Sequence, residues 1–240
     1  MTKVLQNARV LVIGGSSGIG LATAEKALDA GAQVTIASRS QSKVDEAVAA
    51  LSGKGKVQGT VLDTTNAAAV EAFFTGEAEW DHVVISAAQT KSGPVRGLDL
   101  AAAKAAMDSK FWGAYHVARA AKIKEGGSLT LVSGFLSVRP SAGAVLQGAI
   151  NAALEALTRG LALELAPIRV NAVSPGLIAT PLWSGLPGEK REAMFAGAAQ
   201  RLPARRVGQP EDIANAVLYL ATTPFATGST VLVDGGGAIA

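Results

Sequence analysis

Val10-Leu11-Val12-Ile13-Gly14-Gly15-Ser16-Ser17-Gly18-Ile19-Gly20 decides the fold of this chain. Four apolar residues in a row, three of them β-branched, read as a buried strand. The spacing Gly14-x-x-x-Gly18-x-Gly20 then predicts a tight turn into a helix over about Gly18–Ala30, ended by Gly31. Glycines let a backbone approach a pyrophosphate closely, and free N–H groups at the positive end of a helix dipole hold it. Ser16 and Ser17 can add hydroxyl donors. Gly14, Ser16, Ser17, Gly18, Ile19 and Gly20 are therefore candidate dinucleotide-binding positions.

Outward from this turn, strand-like runs alternate with helical ones. Strands are predicted at Arg9–Ile13, Gln33–Ala37, Val57–Leu62, His82–Ser86, Leu129–Val132, Arg169–Val173 and Thr230–Val233. Helical stretches include Ser42–Leu51, Ala67–Phe74 and a long one over Ala142–Leu165. Seven strands separated by helices imply an α/β fold, a parallel sheet covered on both faces. No Gly/Ser/Pro linker splits the chain and no repeat is visible. Residues 1–240 thus read as one doubly wound, Rossmann-like domain. The long helix is apolar on more than one side: Leu154, Leu157, Leu161 and Leu165 form one stripe, and Ala149, Ala152, Ala153, Ala156 and Ala162 add small apolar surface elsewhere. Burial inside the monomer and a subunit contact both fit that pattern.

Composition removes several classes of function. At 240 residues with 49 % hydrophobic residues, the chain can bury a substantial core. No apolar run is long enough to span a membrane, and Met1–Asn7 is too short and polar for a signal peptide. Zero cysteines exclude a disulfide framework and a thiolate site, and fit a reducing, cytoplasmic setting. Two isolated histidines, His82 and His116, give no basis for a metal site. The net charge of +3 is scattered, with its densest group at Arg201, Arg205 and Arg206, and only 5 % of residues are aromatic. Nucleic-acid binding would call for a longer basic stripe with aromatics.

The second strand ends Ala37-Ser38-Arg39-Ser40, with no acidic residue before Asp45. An acidic side chain there would hold ribose hydroxyls. A guanidinium flanked by hydroxyls suits a 2′-phosphate, so Ser38 and Arg39 favour NADP(H) over NAD(H). The alternative is an ordinary surface arginine.

The glycine turn, Val61-Leu62-Asp63, Asn171-Ala172-Val173-Ser174-Pro175-Gly176-Leu177-Ile178-Ala179-Thr180, Arg206–Ala214 and Asp234-Gly235-Gly236 together resemble the short-chain dehydrogenase/reductase family over essentially the full length. The resemblance implies that Asp63 meets the adenine, that Ala87 lies in the fourth-strand motif beside the cofactor, and that Pro175, Gly176, Ile178 and Thr180 lie against the nicotinamide. It also implies a homodimer or homotetramer, with Ala142–Leu165 in the contact, and a substrate-covering segment near 182–200, for which a plain helical insertion is the alternative.

The catalytic positions depart from the family. Its fourth-strand Asn-Asn-Ala-Gly is Ile85-Ser86-Ala87-Ala88 here. Its active-site Asn falls on Lys110, its Ser on Gly134 beside Ser133, its Tyr on Gln147 and its Lys on Asn151. The register is set by Ala152–Arg159. Gln147 exchanges hydrogen bonds but moves no proton near neutral pH, and Asn151 carries no charge. Fixed donors such as the Gln147 amide and the Ser133 hydroxyl could polarise a carbonyl, and Lys110 is the candidate acid or charge. The alternative for Lys110 is a side chain in solvent or at a helix C-terminus. The expected function is NADP(H)-dependent reduction of a small carbonyl or oxidation of an alcohol at a rebuilt site. A catalytically inactive NADP(H)-binding sensor or partner subunit is the other reading.

Overall fold

The computed structural model describes residues 4–240. Seven parallel strands, β1 (Arg9–Ile13), β2 (Gln33–Ser38), β3 (Val57–Val61), β4 (Trp80–Ile85), β5 (Ile123–Val132), β6 (Arg169–Pro175) and β7 (Thr230–Val233), form one sheet in the order β3-β2-β1-β4-β5-β6-β7. The order reverses between β1 and β4, so the connections leaving their carboxyl ends diverge and open a crevice there.

Alternation along the strands sorts the core. Val10, Val12, Val34, Ile36 and Val84 face one side, against α1 (Gly18–Asp29), α2 (Gln41–Leu51) and α8 (Pro210–Thr222). Leu11, Ile13, Val83, Ile85, Leu129 and Leu131 face the other, against α3 (Ala67–Gly76), α5 (Gly113–Ala120) and α6 (Val145–Glu164). Each fully buried aliphatic of this kind contributes about 1.5–3 kcal/mol. The remaining helices are α4 (Leu100–Met107) and α7 (Gly188–Arg201). No helix among the described residues is long and apolar enough to cross a membrane.

The predicted strands all form, β1 and β7 with the expected bounds and the other five with shifted ends. β5 begins at Ile123, six residues before its apolar run, because Lys124-Glu125-Gly126-Gly127 carries the chain into the sheet without an apolar signal. The pairing of β4 with β5 shifts register between Trp80 and His82 to absorb this stretch. α6 starts at Val145 rather than Ala142. Leu154 and Leu161 are buried and Leu157 and Leu165 partly so, while Ala149, Ala152 and Ala156 are exposed.

Candidate functional site

The crevice is built from the β1–α1 turn upward. Gly14 has φ +84°, and a Cβ there would stand 2.5 Å from the Ala87 nitrogen at the end of β4. A Cβ on Gly20 would strike the Gly14 carbonyl oxygen and Ser86 Oγ. The glycines thus let the turn press against β4 and let α1 start directly beneath it. Ser86 stitches the two strands, donating to the carbonyls of Ile13 at 3.2 Å and Gly14 at 3.3 Å.

The turn fits a pyrophosphate. Helix α1 opens with no side-chain cap and no acidic residue in its first turn. Among the described residues, the N–H groups of Ser16, Ser17, Gly18 and Ile19 donate to no protein acceptor. Uncapped donors at the positive end of a helix favour an anion. Ser16 Oγ donates to Ser38 Oγ at 3.0 Å, joining the turn to the end of β2. Arg39 is exposed there, and its Nη2 donates to Gln89 Oε1 at 2.6 Å. Asp63 is partly buried at the end of β3, with Oδ1 accepting from the Thr65 N–H and hydroxyl. On the other side of the crevice Ile178 is buried after Pro175-Gly176, and the Thr180 side chain lies within 3.3 Å of where a Gly18 Cβ would be. The glycine turn, the end of β3 with Asp63 and the segment after β6 with Ile178 and Thr180 therefore all lie along the carboxyl edge of the sheet.

Lys110, Ser133 and Asn151 meet between the turn before α5, the end of β5 and α6. Between α4 and α5 the chain makes a single π-helical turn, Asp108–Trp112, in which the Gly113 N–H reaches the Asp108 carbonyl. This wider turn aims Lys110 inward, leaving it only 8 % exposed. Its Nζ donates at 2.7 Å to the Ser133 carbonyl and at 2.7 Å to Asn151 Oδ1. A side chain in solvent or at a helix C-terminus is thereby ruled out for Lys110. Burial lowers its pKa from 10.5 to about 8, partly offset by the charge of Glu155.

Asn151 is itself buried on α6. Because Lys110 can only donate, the amide turns its oxygen to the lysine and its nitrogen toward Gly134, where a Cβ would lie 2.7 Å from Nδ2. The missing side chain at position 134 makes room for the amide at 151.

Ser133 corrects one expectation. Its hydroxyl does not face the groove as a donor to substrate; it donates to Glu155 Oε1 at 2.9 Å and the Val173 carbonyl at 3.2 Å. Ser133 serves the site through its carbonyl instead. Gln147 is half-buried, and its Oε1 accepts from Ser92 Oγ at 2.7 Å. The Gln147 NH₂ group donates to no protein acceptor among the described residues. The sequence reading missed Ser86, Gln89, Ser92 and Glu155. Only Glu155 announced itself: a charged side chain one turn after Asn151, on the buried stripe of Leu154, Thr158 and Leu161.

The segment near 182–200 is mostly helical. A short turn, Pro181–Trp183, is tied back by Trp183 Nε1 donating to the Ile178 carbonyl at 2.9 Å, and α7 follows with only Ala198 buried.

Comparison with known proteins agrees with this architecture. A family model described as enoyl-(acyl carrier protein) reductase matches residues 14–237. The short-chain dehydrogenase/reductase ucsE of Acremonium sp. is 32 % identical, over 98 % of this chain and 97 % of its own. A small-chain dehydrogenase solved in complex with NADPH superposes with a TM-score of 0.84 at 35 % identity, covering 98 % of this chain and all of its own. A short-chain oxidoreductase from Pseudomonas aeruginosa PAO1, described as containing an atypical catalytic centre, superposes with a TM-score of 0.88 at 28 % identity, covering 97 % and 98 %. The chain belongs to the short-chain dehydrogenase/reductase family, with an oxidoreductase fold of that type.

Proposed function

We propose that this protein is an NADP(H)-dependent oxidoreductase that interconverts a small carbonyl and its alcohol, with Lys110 standing in for the family's tyrosine and lysine. NADPH in a structural relative 35 % identical, the uncapped first turn of α1, and Arg39 beside Ser38 support the cofactor assignment. Bound in the groove, the nicotinamide would supply or accept the hydride. Gly14, Ser16, Ser17, Gly18, Ile19 and Gly20 would hold the pyrophosphate, Ser38 and Arg39 the 2′-phosphate, and Asp63 the adenine. Ala87, Pro175, Gly176, Ile178 and Thr180 would line the nicotinamide half.

The observation that carries the catalytic reading is the buried Lys110 ammonium, held by Asn151 and the Ser133 carbonyl. Two of its three N–H bonds have those acceptors, and the third can serve a substrate oxygen. With a pKa of about 8, the group can give up a proton near neutral pH, as Gln147 cannot. The Gln147 NH₂ group, oriented by Ser92, supplies a second donor to the same developing oxyanion. The exposed apolar side of α6, with Val145, Ala149, Ala152, Ala156 and Leu163, supports a homo-oligomer, and zero cysteines fit a reducing, cytoplasmic setting.

Single-turnover loss of 340 nm absorbance with a panel of reactive aldehydes and ketones, beside a calorimetric NADPH titration, tests this. Oxidation of NADPH that is lost in Lys110→Met is the expected result. Tight binding without oxidation on any carbonyl would instead make the protein a non-catalytic cofactor binder.

A further inference from the structure

Glu155 lies one helical turn beyond Asn151 on the same face of α6, and its burial is unusual for a carboxylate. Three hydroxyls converge on its Oε1: Ser133 from the end of β5 at 2.9 Å, Ser137 from the following loop at 2.7 Å, and Ser174 from β6 at 3.1 Å. Charge-assisted hydrogen bonds of this kind hold an ionised carboxylate inside a protein. Ser133 links this cluster to the reacting end of the groove, since its carbonyl accepts from Lys110 while its hydroxyl donates to Glu155.

We infer that Glu155 is a positioning residue of the site, which fixes the strand-end carbonyl that holds Lys110 and supplies the buried negative charge that keeps its ammonium protonated. Among the described residues, the elements packed around Lys110 bring no other negative charge: β5 brings the Ser133 carbonyl, α6 brings Asn151 and Glu155, α4 and α5 carry only Lys104, His116 and Arg119, and on its own turn Asp108 faces solvent. The electrostatic effect of Glu155 on Lys110 has the required sign, favouring the ammonium against its burial. A buried cation with no nearby anion sheds its proton, whereas one with a fixed anion a few ångströms beyond its hydrogen-bond acceptors keeps it. The role assigned to Glu155 in turnover rests on the catalytic reading of Lys110, but its effect on that ammonium does not.

The test uses the full chain labelled with ¹³C at the lysine side chains, with the Lys110 signal identified by its loss in Lys110→Met. Titrated by NMR, the Lys110 midpoint in Glu155→Gln is expected to fall by at least one pH unit from its wild-type value. An unmoved midpoint overturns the inference. Where Glu155→Gln does not fold, Glu155→Asp withdraws the charge by one methylene and is expected to lower the midpoint by several tenths of a unit; no change there overturns it equally. Single-turnover oxidation of NADPH by the same carbonyl panel separates the two claims. If turnover survives in Lys110→Met while the midpoint moves in Glu155→Gln, the catalytic reading fails and the Glu155 assignment stands. If turnover requires Lys110 but the midpoint does not move, the assignment fails alone.

Discussion

Lys110 and Asn151 are joined by a 2.7 Å hydrogen bond, with the amine on the turn before α5 and the amide on α6. The resemblance read from the sequence implies the family's amide on that turn and its amine on the helix. By that resemblance this chain carries its amine where the family's amide would fall and its amide where the family's amine would fall, and here the two side chains meet. The ammonium is buried, and a hydrogen bond to a charged group of this kind contributes about 1.5–3 kcal/mol. Asn151→Leu is expected to destabilise the fold by that order, and the effect to shrink sharply in a Lys110→Met background. Chemical denaturation of the two single variants and the double variant measures the coupling. Additive effects would mean that the pair contributes nothing.

The fold was legible because its signals are local. Four apolar residues before Gly14 and the glycine spacing after them encode β1, the turn and α1 without long-range information. The α6 register was legible too, so both members of the Lys110–Asn151 pair could be named from the sequence. Their meeting could not, because 41 residues and two elements separate them. Which way Ser133 points was equally hidden. A serine at a strand end can turn its hydroxyl to either side, and Glu155, distant in sequence, decides the side. Gly134 read as a lost donor, whereas in three dimensions it is the space that Asn151 needs.

Restoring the family's serine at position 134 is therefore expected to harm this protein. The new Cβ would lie 2.7 Å from Asn151 Nδ2, within the core of the site. Overpacking of this kind costs about 1–3 kcal/mol. Gly134→Ser should lower the denaturation midpoint and bring no gain in NADPH oxidation. The penalty should largely vanish in an Asn151→Ala background, where the obstructing amide is gone. A Gly134→Ser protein as stable as the wild type would show that the backbone there yields easily.

The buried lysine also sets a pH dependence. Its pKa is 10.5 as an ordinary lysine and about 8 in the fold, lowered mainly by burial. Between these values the unfolded chain binds more protons at this group than the folded one, so its contribution to stability rises with pH. The cost of burying the charge is fully present below pH 8 and is relieved as pH climbs toward 10.5. Lys110→Met should remove that gain, which urea denaturation at pH 7.5 and pH 10 would reveal as a smaller pH difference than in the wild type. In reduction, where the ammonium gives up a proton, the single-turnover rate should fall as pH rises through about 8. A rate that is flat across that range would remove Lys110 as the acid.

A different group governs the acid side. His82 is buried on β4, its Nδ1 2.9 Å from Ser128 Oγ. Burial first, and then the nearby Arg169 charge, lowers its pKa from 6.5 to about 4. The folded protein keeps the ring neutral where the unfolded chain protonates it, so stability is lost as pH falls from about 6.5 through 4. His82→Gln should flatten that part of the stability profile while lowering stability at pH 7. Thermal unfolding at half-unit pH intervals tests this, and an unchanged slope in the variant would assign acid lability to other groups.

The proposed preference for NADPH is assigned to one exposed guanidinium, that of Arg39. Arg39 Nη2 donates to Gln89 Oε1 at 2.6 Å, which extends the side chain across the groove mouth toward the end of β4. An anion at the end of β2 would compete for the same guanidinium, with the hydroxyls of Ser38 and Ser40 beside it. Because a charged hydrogen bond contributes about 1.5–3 kcal/mol, Arg39→Ala should weaken NADPH binding by roughly 10- to 100-fold. NADH lacks the 2′-phosphate and should bind the variant as it binds the wild type. Gln89→Ala frees the guanidinium from its neutral partner and should leave NADPH affinity equal or higher. Calorimetric titration of both nucleotides into the three proteins decides the matter. Equal losses for NADPH and NADH in Arg39→Ala would show that the arginine supports the groove as a whole and does not read the phosphate.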